Sequence, residues 1–112
     1  MDNKILEKVE DIVNYIEKSK TYQEYQLLKD KVSNNEKLTN LIEEIKSKQK
    51  ELVHKKYNKE DITSLEKELE LLESKLNEYP LYCDFIEKQL ELNNTLSIIK
   101  TEIEKCLDSY IN

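Results

Sequence analysis

The side chains in this chain that could do chemistry are few, and they do not cluster. A single histidine, His54, stands beside Val53 with no second histidine anywhere. A hydrolytic triad needs a nucleophile and an orienting acid around its base, and a zinc site needs three or four ligands. His54 is therefore expected on the surface or facing a neighbouring helix. The two cysteines, Cys83 and Cys106, lie 23 positions apart in what reads as one helix. At 1.5 Å per residue that separation is roughly 35 Å, whereas a disulfide tolerates about 7 Å between Cα atoms. They make a poor metal site for the same reason, and are expected to be small buried apolar residues in a reducing compartment. The carboxylates are spread along helical faces, whereas a pair tuned for acid–base work needs a cleft. The chain has no glycine, which removes P-loops and Rossmann turns. No catalytic, cofactor-binding or metal-ligating residue is expected, no small-molecule substrate, and no enzymatic activity.

What remains is the chemistry of recognition. Three amides interrupt apolar rows: Gln49 one turn past Ile45, Gln89 between Phe85 and Leu92, and Asn93 soon after. A buried amide must be hydrogen-bonded and often pins the register between helices; the other use of such a residue is contact with a partner. The candidate partner or register contacts are Gln49, Phe85, Gln89, Glu91, Asn93 and Leu96. Tyr15, Tyr22, Tyr25, Tyr79, Tyr82 and Tyr110 lie on or beside apolar stripes, as core or interface anchors with the hydroxyl at the wet edge. Tyr57 closes a helix.

These residues must be positioned by helices. Ile5, Val9, Ile12, Val13 and Ile16 predict a first amphipathic helix over about Asn3–Lys18, capped by Asp2 or Asn3. Ser19-Lys20-Thr21 interrupts, and Thr21 with Glu24 has capping-box spacing for a second helix carrying Tyr22, Tyr25, Leu28 and Val32. Ser33 with Glu36, backed by Asn34 and Asn35, opens a third that reaches Tyr57. Asn58–Asp61 is a polar turn. Asp61, or Thr63 with Glu66, starts a fourth with Ile62, Leu65, Leu69, Leu72 and Leu76 at alternating spacings of three and four. Pro80, the only proline, suits the first turn of a fifth helix, which runs towards Tyr110 with Phe85, Leu92, Leu96, Ile99, Ile103 and Cys106 on its stripe.

The expected fold is all-α: one domain over residues 1–112, an elongated antiparallel bundle of about five helices with a long last one. A helix of about 30 residues spans roughly 45 Å, longer than a compact globule of this size. Its apolar stripe then needs a partner surface, so self-association or a hetero-complex is expected. The net charge of −6 argues against general nucleic-acid binding. No apolar run approaches the length that spans a bilayer, and Met1–Lys4 lacks a signal-peptide pattern. A cytoplasmic location follows. Charge is segregated: Lys46, Lys48, Lys50, Lys55, Lys56 and Lys59 precede an acidic stretch from Glu60 to Glu78. In a hairpin, basic would face acidic. A lysine patch left unpaired would instead support the alternative, an RNA-binding module using Lys46–Lys59.

The ordered set Asn35-Glu36-Lys37-Leu38, Ile45-Lys46-Ser47-Lys48-Gln49-Lys50, Asn77-Glu78-Tyr79-Pro80, and Phe85 followed by Gln89, Glu91, Asn93 and Leu96 resembles the YlbF/YmcA regulators of bacteria, and more closely their YmcA branch. The resemblance covers about Ile5 to Leu107. It implies a small all-α, non-enzymatic protein that forms a homodimer or assembles with paralogues. It further implies a complex steering the membrane-associated endoribonuclease Y in messenger RNA maturation, with effects on biofilm formation, competence and sporulation. Iron–sulfur clusters held by cysteines, including cysteines of C-terminal tails, belong to that complex. With Cys106 on a helix stripe and Asn112 soon after it, no cluster is expected on this chain.

Overall fold

The periodicity of the apolar residues is realised as five helices: α1 (Asn3–Glu17), α2 (Lys20–Ser33), α3 (Glu36–Tyr57), α4 (Thr63–Asn77) and α5 (Pro80–Ile111). The computed structural model describes residues 3–111, with side chains from Asn3 to Ser109. Among the described residues there is no strand. Asp2 and the side chain of Tyr110 lie outside the described residues.

Local polar chemistry sets each boundary. Between α1 and α2 the cap is Ser19, not Thr21: the Tyr22 amide donates to its Oγ at 3.3 Å, and Oγ donates to the Ile16 carbonyl at 2.6 Å. One hydroxyl thus serves the end of one helix and the start of the next. At α3 the cap is Asn35, whose side chain accepts from the Leu38 amide at 3.1 Å. Ser33 is the last residue of α2, so it cannot also open α3. Asp61 Oδ1 accepts from both the amide and hydroxyl of Thr63, at 3.0 and 2.8 Å, at the entrance to α4. Pro80 is the first residue of α5, where its missing N–H leaves no helical bond unmade.

The α3–α4 turn supplies a left-handed residue without glycine. Lys59 has φ 58°. The Glu60 amide donates to the Lys55 carbonyl at 3.0 Å and the Lys59 amide to Lys56 at 3.1 Å, the paired bonds of a Schellman cap. A non-glycine residue in this region carries a cost of about 1–2 kcal/mol. Lys59→Gly is therefore expected to stabilise the protein by about 0.5–1 kcal/mol, the gain reduced by glycine's freedom in the unfolded chain. Urea unfolding should show a higher midpoint at unchanged slope; a lower midpoint would contradict it.

The helices divide into two compact units, one of Lys29–Asp84 and one of Met1–Leu28 with Phe85–Asn112. We call them the hairpin unit and the terminal unit. In the hairpin unit α3 and α4 run antiparallel, with Lys48 Nζ 3.1 Å from Glu68 Oε2 across the seam. The six buried apolar side chains among the described residues are Val32, Leu38, Ile45, Leu65, Leu69 and Leu76, and Leu38 is wholly enclosed. All six belong to the hairpin unit. The terminal unit has no buried side chain among the described residues, although α1 and α5 carry its longest apolar rows.

Candidate functional site

In the terminal unit, α1 and the C-terminal half of α5 bound a groove of about 620 Å³. Asp11, Ile12, Tyr15 and Ile16 form one wall, and Ile98, Ile99, Glu102, Ile103, Cys106 and Leu107 the other. The helical period places the α1 residues one turn apart on a single face. On that face Ile5, Leu6, Val9, Ile12 and Val13 are 39–54% exposed. At roughly 100° per residue they span an arc of about 120°, an ordinary amphipathic stripe, here left half in water. On α5, Leu96, Ile98, Ile103 and Leu107 are 44–55% exposed. Together these nine side chains leave on the order of 800 Å² of apolar surface in water, and Ile12, Ile98, Ile103 and Leu107 among them line the groove.

The groove has little polar content. Its charged walls are Asp11 and Glu102, and Lys105 lies 3.5 Å from Glu102. No nucleophile and base converge there, and among the described residues no three His, Cys, Asp or Glu side chains could hold a metal ion together. Such a surface can exclude water against another apolar surface.

Elsewhere in the terminal unit, α2 is clipped to α5. Tyr25 stacks on Phe85 with centroids 5.5 Å apart, and Tyr22 approaches Tyr25 at 6.4 Å. Lys88 Nζ lies 2.9 Å from Glu24 and 3.2 Å from Glu91. The hydrogen bond from Lys88 holds the Glu24 carboxyl below its ordinary 4.5, with desolvation opposing. The bonds to Glu24 and Glu91 raise Lys88 above its ordinary 10.5. A depressed acid contributes stability above its unfolded value, lost as pH falls through the folded one; a raised base contributes below its unfolded value, lost as pH rises through the folded one. The clip is thus complete between pH 4.5 and 10.5. Lys88→Met is expected to raise the Glu24 titration towards its ordinary value, with Lys20, 3.8 Å away, still lowering it, read by carboxyl carbon NMR; an unmoved titration would show that Lys88 does not set it.

The candidate contacts are not brought together. Phe85 is half-buried against Tyr25, Gln89 is half-buried, and Glu91 is exposed and accepts from Lys88. Asn93 and Leu96 are exposed. Gln49, on the other unit, is exposed, and its side chain makes no hydrogen bond among the described residues. The expectation of a buried register amide does not hold for Gln49: the position facing α4 is Lys48, whose half-buried stem carries its ammonium to Glu68. Cys83 and Cys106 are both exposed, against the expectation of burial: Cys106 lines the open groove, and Cys83 lies off the apolar stripe, one turn before the exposed Glu87. The Cys83 thiol donates to the Asn77 carbonyl at 3.5 Å. His54 is exposed, with Nε2 3.1 Å from Asn58. Tyr22, Tyr25, Tyr79 and Tyr82 are half-buried, whereas Tyr15 at 79% and Tyr57 at 86% are in water.

Of the lysines in Lys46–Lys59, Lys48 pairs with Glu68 and Lys55 with Glu51, while Lys46, Lys50, Lys56 and Lys59 make no ion pair among the described residues. Charge segregation is thus only partly neutralised across the hairpin. The groove itself was not among the sequence candidates. Ile5, Leu6, Val9 and Val13 read as an ordinary amphipathic face, and nothing in that pattern marks it as uncovered.

A family model described as control of competence regulator ComK, YlbF/YmcA, matches residues 5–108. No curated protein matches the chain. No helix among the described residues is long and apolar enough to cross a membrane.

Proposed function

The chain belongs to the YlbF/YmcA family of competence regulators, and from that premise we propose that it is a non-enzymatic adaptor acting through protein–protein contacts in the cytoplasm. The observation that carries this reading is the distribution of burial. The hairpin unit encloses a core, whereas the terminal unit leaves its apolar rows half in water. The exposed apolar surface of α1 and α5, on the order of 800 Å² in sum, is comparable to what one partner contributes to a standard interface. We assign the groove between α1 and α5 to contact with a second copy or a paralogue, which would supply the helices that complete a bundle.

In this reading the assembled regulator engages a membrane-associated endoribonuclease and adjusts messenger RNA processing, with consequences for competence, biofilm formation and sporulation. Affinity purification of the tagged chain from its native cell tests it. Recovery of family paralogues or of that ribonuclease supports the proposal; recovery of neither, at salt low enough to keep weak complexes, overturns it. Direct RNA binding rests on the four unpaired lysines. The net charge of −6 opposes it, and a gel shift against RNA at two salt concentrations separates the two readings.

A further inference from the structure

We infer that a groove on the hairpin unit, centred on Gln49, docks a short acidic segment of a partner protein. The inference rests on the adaptor reading and gives the adaptor a second surface. Gln49 stands in an apolar row of α3, yet it is exposed and its side chain makes no hydrogen bond among the described residues. Neither end of its amide is used by the fold. It lines two recesses, of about 350 and 380 Å³, which adjoin through the shared walls Lys46 and Gln49.

The composition of these walls selects the occupant. Ile42, Ile45 and Leu76 give the first recess an apolar floor, and Val53, 68% exposed, does the same for the second. Gln49 and Asn77 each present a donor and an acceptor, the set that a peptide backbone needs. Lys46 and Lys50 line the recess and make no ion pair among the described residues, while Lys48 on the adjacent side of α3 is held by Glu68. Glu73 is the only carboxylate in either wall. Two free ammonium groups against one carboxylate favour an acidic ligand. From Lys46 to Val53 the helix rises roughly 10 Å, enough for about three or four extended residues. An aliphatic floor with amides suits an apolar side chain flanked by Asp or Glu better than it suits stacked bases.

The test is selection of phage-displayed random peptides on the immobilised full-length chain, followed by fluorescence anisotropy of the labelled consensus peptide. We expect enrichment of Asp or Glu beside an aliphatic or aromatic residue. Lys46→Glu with Lys50→Glu should weaken binding at least about tenfold, an effect that shrinks with added salt. Gln49→Ala should weaken it by about threefold or more, and Ile12→Glu, on the terminal unit, should leave it unchanged. Circular dichroism melts verify that the variants fold. Peptides without acidic enrichment, or binding indifferent to the hairpin variants, would overturn the inference, as would displacement of the peptide by poly(U) RNA through the same lysines. If the groove fails while paralogues or the ribonuclease still co-purify, the adaptor reading stands without this site.

Discussion

Replacing Ile12 and Ile103 with glutamate is expected to weaken assembly by at least about two orders of magnitude, with the hairpin unit melting as before. The two residues face each other across the groove and are 39% and 46% exposed. Covering the remaining half of each side chain is worth on the order of 1 kcal/mol, so two such residues account for about tenfold or more in affinity. A carboxylate in their place must be desolvated against an apolar partner without a counter-ion, which costs several kcal/mol more. Because both positions already touch water, neither substitution should disturb the unassembled fold. Sedimentation should give the wild-type chain a mass that is a multiple of 13.4 kDa, or a mixed mass with a paralogue, and give the double variant the single-chain value. Assembly of the double variant at wild-type strength would refute the placement of the interface.

The largest loss of stability should come from Leu38→Ala. Leu38 is the one side chain among the described residues that is entirely enclosed, and it follows the Asn35 cap that starts α3. Removing three carbons there loses their transfer energy and leaves a cavity, about 3–5 kcal/mol for a site that cannot collapse. A unit of this size has a total stability of only a few kcal/mol. The melting temperature should fall by roughly 12–40 °C, or the unit should not fold at 37 °C. Leu71→Ala is the control, since Leu71 points outward at 66% exposure and should change little. A fall of under about 5 °C for Leu38→Ala would mean that folding is not driven by this core.

Much of the architecture was legible in the chain before any coordinates. The spacing Leu65–Leu69–Leu72–Leu76 defines an α4 face, and Pro80 marks where α5 begins, because both effects are local. Two caps were misplaced for a shared reason. Thr21 and Ser33 have the right partners three residues on, but each lies inside a helix, and only the end of that helix decides which polar residue is left outside it. Gln49 was read as continuing the row of Ile45. The seam with α4 instead passes through Lys48 and Leu52, since a helix of 3.6 residues per turn drifts off a fixed spacing of four. The groove was the least legible feature. Rows along α1 and α5 are visible in the sequence, but whether anything covers them depends on tertiary packing, to which periodicity is blind.

A segment such as α1, with no enclosed side chain, is held down by little when the chain is alone. Its opening free energy is then lower than that of the hairpin core, and the equilibrium share of opened molecules sets how fast a protease can cut them. Orphan copies should be trimmed from this end first, whereas copies seated in a complex survive. Degradation would in that way match the abundance of the chain to that of its scarcest companion, with no dedicated sensor of stoichiometry.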